Sequence, residues 1–401
     1  MIQITSKALQ KTISIERVIR KIQGDEEGPT IIFFSGIHGN ETAGVFALNE
    51  VLNLLNSNKI NIRGTIYAIS GNLKALELCQ RYIENDLNRL WTKPNIEALK
   101  NKNNFNIEEQ EQIELYHLLQ NILNTNKPPF YFIDLHTTSG KTLPFITIND
   151  ALINRKFSKL FPVPIVLGIE EYLNGPLLSY INEKGYLSLG FESGQHYELA
   201  AIKNSISFVN LTLVFSGVIK KEDIDFNLHF NRLKIASKNK THFFEIIYLH
   251  KIKAKETFKM EQGFNNFQPI NKKTVLAMSD NTVVKSKYKA KIFMPLYQAK
   301  GSEGFFIIKN IKPFFLKLSA LLRRVKADNL FILFPGVSWE NKEKKVLQVN
   351  LKTAKFLVKP LFHLLGYRNK QIDKTHLKLY NRERVAKVAM YKNELWYKKR
   401  C

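Results

Sequence analysis

The sequence is poor in cysteine and contains no long apolar run. Only two of its 401 residues are cysteines, Cys79 and Cys401, so neither a disulfide framework nor a zinc site built from thiolates can form. No uninterrupted apolar stretch approaches the roughly 20 residues that cross a bilayer. The basic residues among the first 21 positions leave no room for the apolar core of a signal peptide. We therefore expect no membrane span and a cytoplasmic location, and any metal must be held by histidine and carboxylates.

Acidic residues are scarce relative to basic ones, and the imbalance is concentrated toward the C-terminal end. The formal net charge is +25, and residues 309–401 hold 23 Lys and Arg against 6 Asp and Glu. Such a segment could bind nucleic acid or an anionic membrane. It has neither an aromatic-glycine RNA-binding pattern nor zinc-finger spacing. We therefore interpret it as a solvated basic surface and do not expect nucleic acid as a partner.

The length and the order of the patterns predict three regions. A chain of 401 residues exceeds one typical domain. Buried strands alternate with amphipathic helices up to about residue 220, which is typical of an α/β sandwich. We predict a catalytic domain at 1–224, a small β domain flanking the site at 225–310, and a basic C-terminal extension at 311–401. Within the extension, the patterns predict a helix over Pro313–Lys326 and a strand over Asn329–Leu333.

The most informative stretch is a buried strand that ends in glycine and is followed by His38 and Glu41. Residues 30–35 are the candidate strand, Gly36 permits a sharp turn, and a helical pattern begins at Thr42. In open α/β sheets, ligands bind at the carboxyl ends of the strands. The turn therefore puts an imidazole and a carboxylate where a metal could bind. A pair with this spacing also occurs often by chance, so alone it is weak evidence.

A second candidate strand, residues 130–135, contains Asp134 and is followed by His136. Catalytic zinc typically has three protein ligands and one position left for water. His38, Glu41 and His136 therefore form a candidate ligand set for one zinc ion per chain. Residues two apart in a strand share a face, so Asp134 could hold the imidazole N–H of His136. A carboxylate that caps the following turn is the alternative for Asp134.

Four segments, in this order, resemble the succinylglutamate desuccinylase/aspartoacylase family, whose members are relatives of the zinc carboxypeptidases. The segments are residues 36–41 (Gly-Ile-His-Gly-Asn-Glu), 81–89, 134–138 and 190–194. The resemblance implies a mixed-sheet, zinc-carboxypeptidase-like sandwich with helices on both faces, in addition to the small β domain and the basic tail. It also matches His38, Glu41 and His136 to the zinc ligands of the family.

The same resemblance implies the remaining roles in the site. Glu192 matches the general acid/base, Arg81 matches the arginine that polarises the scissile carbonyl, and Asn88 and Arg89 match a pair that grips a substrate carboxylate. Without the resemblance, Glu192 could instead be a carboxylate at a helix N-terminus, and the two arginines could be solvated. Tyr297 falls where the β domain of the family reaches the mouth of the site, so it could contact substrate or be an ordinary buried aromatic.

One position departs from the family pattern. Aspartoacylases carry a further arginine, about ten residues before the catalytic glutamate, that binds the second carboxylate of the substrate through its fork of donors. Asn182 stands at the corresponding position here. Lysine at 184 could supply a point charge, but it does not reproduce the fork of an arginine. Neither acetylaspartate nor succinylglutamate is therefore a safe expectation.

These observations predict a zinc-dependent amidohydrolase, a deacylase that cleaves the linear amide bond of an N-acyl amino acid or a similar small carboxylate. One alternative is a zinc carboxypeptidase that acts on peptides. Another is a catalytically silent binding protein that uses its basic tail. The acyl group and the oligomeric state are not predicted by the sequence.

Overall fold

The computed structural model describes residues 1–340, 345–350, 352–353, 359–371 and 376–398. The other positions of the predicted basic extension, including Cys401, lie outside the described residues. Within these ranges, no helix has both the length and the apolar character needed to cross a bilayer. The predicted cytoplasmic location stays a prediction.

The secondary structure alternates between strands and helices over the first 220 residues and is richer in strands thereafter. The strands are β1 Ile2–Ser6, β2 Lys11–Ile15, β3 Val18–Gln23, β4 Glu26–Ser35, β5 Arg63–Ser70, β6 Phe130–Thr138, β7 Phe145–Ile148, β8 Ile165–Leu167, β9 Leu187–Gln195, β10 Phe243–Lys251, β11 Phe258–Met260, β12 Pro269–Ile270, β13 Val275–Ser279, β14 Thr282–Lys285, β15 Ala290–Phe293, β16 Glu303–Asn310, β17 Val337–Trp339, β18 Val346–Asn350, β19 Tyr367–Gln371 and β20 His376–Asn381. The helices are α1 Ala43–Ser57, α2 Leu73–Glu77, α3 Lys93–Leu99, α4 Ile107–Thr125, α5 Leu152–Ser158, α6 Leu177–Glu183, α7 Leu199–Phe215, α8 Phe226–Ala236, α9 Pro313–Arg324, α10 Lys359–Leu364, α11 Arg382–Val385 and α12 Leu395–Lys398. Short 3-10 helices cover Leu87–Arg89, Ile169–Glu171, Lys221–Asp223, Ala327–Leu333 and Val388–Tyr391.

One large mixed sheet organises the molecule. Its strand order is β12-β15-β16-β10-β8-β7-β9-β6-β4-β5-β3. The central strands β5, β4, β6 and β9 are parallel to one another, whereas β7 is antiparallel to β9. Parallel strands end on the same side of a sheet, so β4, β6 and β9 deliver the residues at their carboxyl ends to one region.

Both faces of the central strands are buried, each by different helices. On β4, Ile31 and Phe33 belong to a core shared with α1 and α7, whereas Ile32 and Phe34 belong to a second core shared with α4 and α6. Successive strand residues point to opposite faces, which explains why a strand covered on both sides is a continuous apolar run. The predicted mixed-sheet α/β sandwich with helices on both faces is confirmed.

Three parts of the chain differ from the predicted elements. Three strands, β1 to β3, precede β4, although the pattern of residues 1–29 predicts one strand and a turn. Strands β7 and β8 were not predicted, because four and three residues are too few to show a period. The predicted strand over Asn329–Leu333 is wrong, since these residues belong to the 3-10 helix Ala327–Leu333.

The region predicted as a separate β domain contributes to the main sheet as well as to a small one. Strands β10, β12, β15 and β16 extend the main sheet, and β11, β13 and β14 form a three-stranded sheet. Beyond residue 310, strands β17 to β20 form a further four-stranded sheet. The boundaries at residues 224 and 310 stay a prediction.

The end of the described chain packs into the core of the region predicted to be the catalytic domain. Tyr391 is fully buried, and its hydroxyl donates to the Phe130 carbonyl at 2.6 Å and accepts from the Leu187 amide at 2.9 Å. Trp396 donates from its indole nitrogen to the Tyr131 hydroxyl at 2.9 Å. The tail therefore contacts the first residues of β6 and β9, the two strands that carry His136 and Glu192.

Buried polar contacts join helix α9 to the region predicted to be the catalytic domain. Arg323 donates to the Asp150 carboxylate (Nη2–Oδ2 2.8 Å) and to the Asp150 carbonyl at 2.9 Å. Arg155 donates to the same carboxylate at 2.8 Å, and Glu383 lies 3.0 Å from Arg323. Removing one member of such a network would leave a buried charge unpaired. These contacts therefore fix the orientation of α9 on the fold.

Candidate metal centre and active site

The candidate site lies where β4, β6 and β9 end. In the sheet register Ser35 lies beside Leu135, and His136 lies beside Glu192 on the neighbouring parallel strand. Strand β6 continues to Thr138 and β9 to Gln195, so His136 and Glu192 lie in the last residues of their strands and not beyond them. Adjacent strands therefore place an imidazole and a carboxylate side by side.

The turn after β4 depends on two glycines. Gly36 has a φ of +71°, in the left-handed region that glycine adopts without a steric penalty. A Cβ on Gly39 would lie 2.0 Å from the Ala75 carbonyl carbon, so only glycine allows the two backbones to approach this closely. The Gly39 amide donates to the Arg81 carbonyl at 3.1 Å. The turn that carries His38 and Glu41 is thereby attached to the loop that carries Arg81.

His38, Glu41 and His136 converge on one point. Their candidate ligand atoms all lie within 4.8 Å of one another. The Glu41 carboxylate is between the two rings, with Oε1 2.8 Å from His38 Nδ1 and Oε2 3.0 Å from His136 Nδ1. Two imidazoles and one carboxylate form a ligand set that suits zinc.

Each of the two rings also has a carboxylate at its outer nitrogen, Nε2. Asp86 Oδ1 lies 3.2 Å from His38 Nε2, and Asp134 Oδ2 lies 2.7 Å from His136 Nε2. A carboxylate there accepts the Nε2 proton and turns the Nδ1 lone pair of a neutral ring inward, toward Glu41. Two inward lone pairs and a carboxylate attract a cation, so the residues present fit a divalent metal.

The protonation of the central groups follows from these contacts. Burial disfavours the charged form of His136, but Asp134 and Glu41 outweigh it and raise the pKa of the ring well above its usual range. Burial likewise opposes ionisation of Glu41, yet His38 and His136 hold its pKa well below the usual range. The site therefore keeps Glu41 as a carboxylate and holds positive charge between carboxylates.

Glu192 is a buried carboxyl group next to the candidate metal centre. Its Oε2 is buried and has no hydrogen-bond partner within the described ranges. Burial raises the pKa of Glu192 to about 8, with a smaller opposing effect from His136. A carboxyl group with a pKa near neutrality can both accept and return a proton.

The predicted substrate loop brings Arg81 to the same cavity. Arg81 Nη2 donates to Asp86 Oδ2 at 3.1 Å, and its Nη1 lies 3.7 Å from Glu41 Oε1. The buried Arg81 Nε has no partner among the described residues. Asp86 thus orients both His38 and Arg81.

A buried carboxylate shapes this loop from behind. Glu108 on α4 is fully buried and accepts the backbone amides of Ile83, Glu84 and Asn85 at 2.6, 3.0 and 3.0 Å. It also accepts from the Asn72 side chain at 3.0 Å. Four donors converge on one carboxylate, which fixes the backbone between the two arginines of the loop.

Asn88 and Arg89 line the cavity, and both are engaged by protein groups. Asn88 Oδ1 accepts the Leu177 amide at 2.9 Å. Arg89 Nη1 donates to the Asn88 carbonyl at 2.8 Å, and its Nη2 lies 3.2 Å from Glu303 Oε2. Glu303 also lines the cavity and comes from the start of β16.

The cavity is open to solvent, and the space in it is about 1070 Å³ when the open solvent at its mouth is included. Part of its wall carries uncharged hydroxyl and amide side chains, namely Thr147, Asn149, Ser179 and Ser188. Asn182 is not among the described residues that line it, because this side chain is buried and donates to the Tyr186 carbonyl at 3.4 Å. On α6 it is Leu178 and Ser179 that line the cavity, and both side chains are uncharged.

The segment before β16 forms another part of the wall. Leu296 and Gln298 line the cavity, whereas Tyr297 between them does not. The Tyr297 hydroxyl donates to the Glu261 carbonyl at 2.8 Å, and its ring packs among the residues of the small sheet. Its position therefore does not support the predicted contact with substrate.

His196 was not identified from the sequence. It lines the cavity, with Nδ1 2.7 Å from the Thr137 hydroxyl and Nε2 3.3 Å from Gln298 Oε1. Burial lowers the pKa of its ring, which favours the neutral form. A third histidine shortly after a strand that carries a candidate base was a signal that could have identified it.

Asp86 and Glu303 were also missed. Asp86 lies inside the recognised segment 81–89, where a carboxylate between two arginines was a usable signal. Glu303 lies 214 residues from Arg89 in the chain, and nothing in the local sequence indicates that they meet.

Comparison with known proteins identifies the region that builds the site. The catalytic domain described as succinylglutamate desuccinylase/aspartoacylase matches residues 27–201. This range contains all three candidate metal ligands, the loop 81–89 and Glu192.

Curated succinylglutamate desuccinylases share shorter segments with the chain. The enzyme of Photorhabdus laumondii is 34% identical over 76 residues, which is 19% of this chain and 23% of that protein. The enzyme of Pseudomonas fluorescens is 29% identical over 119 residues, which is 30% of this chain and 34% of that protein. The matches therefore cover about a third or less of the length of these relatives.

Solved structures extend the likeness to most of the fold. A succinylglutamate desuccinylase of Vibrio parahaemolyticus superposes with a TM-score of 0.52 at 15% identity, over 77% of this chain and 90% of that chain. A succinylglutamate desuccinylase/aspartoacylase of Rhodobacter sphaeroides gives 0.54 at 12% identity, over 77% and 94%. At such identities the likeness shows a shared fold.

Proposed function

We propose, because residues 27–201 belong to the succinylglutamate desuccinylase/aspartoacylase catalytic-domain family, that the protein is a zinc-dependent hydrolase of the amide bond of an N-acyl amino acid or a similar small carboxylate. The observation that carries the proposal is the convergence of His38, Glu41 and His136 beside a buried Glu192. A metal-ligand set and a proton-transfer group in one cavity are the requirements of metal-assisted hydrolysis.

His38, Glu41 and His136 would hold the metal, and Asp86 and Asp134 would orient the two rings. A zinc ion with such ligands activates water at neutral pH and polarises a carbonyl group. The outer carboxylates fix which ring nitrogen points inward, which typically contributes 10–100-fold to metal affinity.

Glu192 would move the proton during hydrolysis. Its carboxylate accepts a proton from the attacking water and, as a carboxylic acid, returns it to the nitrogen of the leaving amine. The proton thus passes from oxygen to nitrogen, and the amide becomes a carboxylate and an amine. Because Oε2 is buried without a partner among the described residues, it is free to accept that proton.

Arg81, Asn88 and Arg89 would orient the substrate. A guanidinium held in a buried cavity stabilises the negative charge that develops on the carbonyl oxygen. Arg89 and Asn88 lie in the same loop and would bind the carboxylate of the amino-acid part. The uncharged wall at Asn149 and Ser179 favours a neutral acyl group over one that ends in a second carboxylate.

The central test is metal analysis combined with hydrolysis. The full chain should contain about one zinc per molecule, chelation should abolish activity, and added zinc should restore it. His38→Ala should lose both zinc and activity, whereas His117→Ala, an exposed histidine on α4, should lose neither. Glu192→Gln should keep zinc and lose about 10²–10⁴-fold in turnover. Intact protein that binds no divalent metal would overturn the proposal.

The substrate class is tested with a panel. N-acetyl, N-propionyl and N-succinyl amino acids should be compared with peptides that have a free carboxyl terminus. We expect short neutral acyl groups to be cleaved with the highest kcat/KM. Preferential cleavage of peptides would instead favour the carboxypeptidase alternative, and no hydrolysis of any substrate by zinc-loaded protein would favour the binding-protein alternative.

A further inference from the structure

Helix α9 turns polar side chains to the core and exposes apolar ones, which is the reverse of an ordinary surface helix. Its buried residues are Ser319 and Arg323, the polar members that contact the Asp150 network. Phe314 and Leu321 on the helix are exposed to 66% and 57%, and Val325 directly after it to 63%. Leu316 and Leu322 are partly buried against neighbouring cores. A surface helix normally turns its apolar side to the core. The exposed apolar side of α9 is therefore a candidate contact surface for a partner outside the described fold.

The exposed apolar surface continues beyond α9. The 3-10 helix Ala327–Leu333 contacts α9 and exposes Leu330 and Leu333 to 61% and 77%. Phe334 follows and is half exposed. We name the exposed side chains of this segment the apolar patch, and its members are Phe314, Phe315, Leu321, Val325, Leu330, Ile332, Leu333 and Phe334. Contiguous patches of this kind mark interaction sites in soluble domains.

Four exposed basic side chains, which we name the basic rim, lie on the same segment as the apolar patch. Lys312, Lys317, Arg324 and Lys326 are all exposed on the same segment. Between residues 311 and 335 the one acidic residue is Asp328, and it is buried against Arg384 at 2.8 Å. The exposed surface of the segment is therefore apolar and positively charged, with no negative charge of its own.

We propose that the apolar patch and its basic rim bind the surface of an anionic lipid bilayer. Interfacial helices insert apolar side chains at the boundary between head groups and acyl chains, and their lysines and arginines lie among anionic head groups. The exposed phenylalanines and leucines supply the apolar part, and the four basic residues supply the charge complementarity. This is peripheral attachment, and it is separate from the proposed hydrolase activity.

The chemistry of the patch favours a bilayer over other anionic partners. Nucleic acid would use the lysines and could stack on Phe314, but it offers no apolar surface to Leu321, Val325 and Leu333. A second copy of the chain in a symmetric pair would bring like basic rims together, which is unfavourable. Only a surface that is both anionic and apolar just beneath satisfies both features.

The experiment is sedimentation of the full chain with vesicles. Binding is expected to vesicles of phosphatidylcholine with about one-third phosphatidylglycerol, and not to vesicles of phosphatidylcholine alone. The double substitution Lys317→Gln and Arg324→Gln should reduce the partition coefficient by on the order of 25-fold, since each basic residue near a charged surface contributes about fivefold.

A second pair of variants separates apolar insertion from simple charge attraction. Leu321→Asp with Val325→Asp should abolish vesicle binding. Leu228→Asp with Ile235→Asp, two exposed aliphatic residues on α8 that are 52% and 72% exposed, should leave it unchanged. Both variants add two negative charges, so a difference between them reports on the patch. Circular dichroism and a thermal melt confirm that each variant folds.

Three outcomes would overturn the proposal. One is the absence of binding to anionic vesicles at low salt, and another is equal loss of binding in the two aspartate variants. The third is a dimer of the wild type, seen by light scattering, that Leu321→Asp with Val325→Asp dissociates while vesicle binding is absent. Hydrolysis of soluble substrates should be the same in both aspartate variants, so failure here is distinguishable from failure of the proposed function.

Discussion

Arg89 and Glu303 form a two-point contact at the cavity, with Nη2 3.2 Å from Oε2 and Nε 3.3 Å from Oε1. The arginine that the family resemblance matches to a substrate carboxylate thus already has a carboxylate beside it. A substrate carboxylate must either share the guanidinium with Glu303 or displace it. The pair comes from two distant parts of the chain and sets the charge that a substrate meets.

Glu303→Gln is expected to tighten binding of substrates that carry a free carboxylate. Removing the competing negative charge frees the Arg89 guanidinium for the carboxylate of the substrate. A partly exposed ion pair contributes up to about 1 kcal/mol, so the affinity for the substrate should rise about fivefold. KM for an N-acyl amino acid should fall by about that factor, whereas KM for the matching amino-acid amide should not change. Glu245→Gln, an exposed glutamate on β10, is the control, and an unchanged KM for both substrates would contradict the prediction.

Asp134→Asn is expected to weaken metal binding without removing a ligand. Asp134 accepts from His136 Nε2 at 2.7 Å. An asparagine there no longer favours the tautomer that is protonated on Nε2 and has the lone pair on Nδ1. Loss of such a partner typically costs 10–100-fold in metal affinity. Competition with a chromogenic chelator measures the affinity for zinc. Asp25→Asn, at an exposed position, should bind zinc like the wild type, and so should Asp134→Asn if the contact has no role.

Zinc binding is expected to release protons and to strengthen as pH rises. Without metal, Glu192 has a pKa of about 8 and the pKa of His136 is raised, so both groups hold protons at pH 7. A bound cation lowers both pKa values, so metal binding should strengthen as pH rises, up to about pH 8 for the contribution of Glu192. Calorimetry in buffers of different ionisation enthalpy counts the released protons. Glu192→Gln should release fewer, and equal release would contradict the assignment.

Glu108→Gln is expected to loosen the loop that carries Arg81. The carboxylate accepts three backbone amides, and the amide group of glutamine would turn N–H donors toward some of them. Unsatisfied buried donors cost about 1–3 kcal/mol each, so the free energy of unfolding should fall by about that amount in urea. Glu114→Gln, exposed on the same helix, should change it by less than about 0.5 kcal/mol. Activity should fall in Glu108→Gln alone.

The convergence of the three candidate metal ligands was predictable because the geometry is largely local. His38 and Glu41 share one turn after β4, and His136 lies at the end of the neighbouring parallel strand. Apolar runs identify such strands, and parallel pairing puts their carboxyl ends together. The contact of Asp134 with His136 was predictable for the same reason, since residues two apart on a strand share a face.

Other parts of the site were not predictable, because they depend on contacts between distant segments. Asn149 follows the short strand β7, and Glu303 begins β16, far from Arg89 in sequence. The outward turn of α9 was also hidden, since its apolar spacing predicts a side packed on the core. The buried pairing of Arg323 with Asp150 turns the polar side of the helix toward the core.

The contacts of Tyr391 and Trp396 with the start of β6 and β9 bear on how the protein is made. A ribosome releases these aromatic residues after the whole of the main sheet has been synthesised. Until then the Leu187 amide and the Phe130 carbonyl lack the hydroxyl that bonds them in the finished fold. The strands that position His136 and Glu192 can therefore reach their final packing only after translation of the tail, so a nascent chain that stalls before residue 391 would be expected to remain inactive.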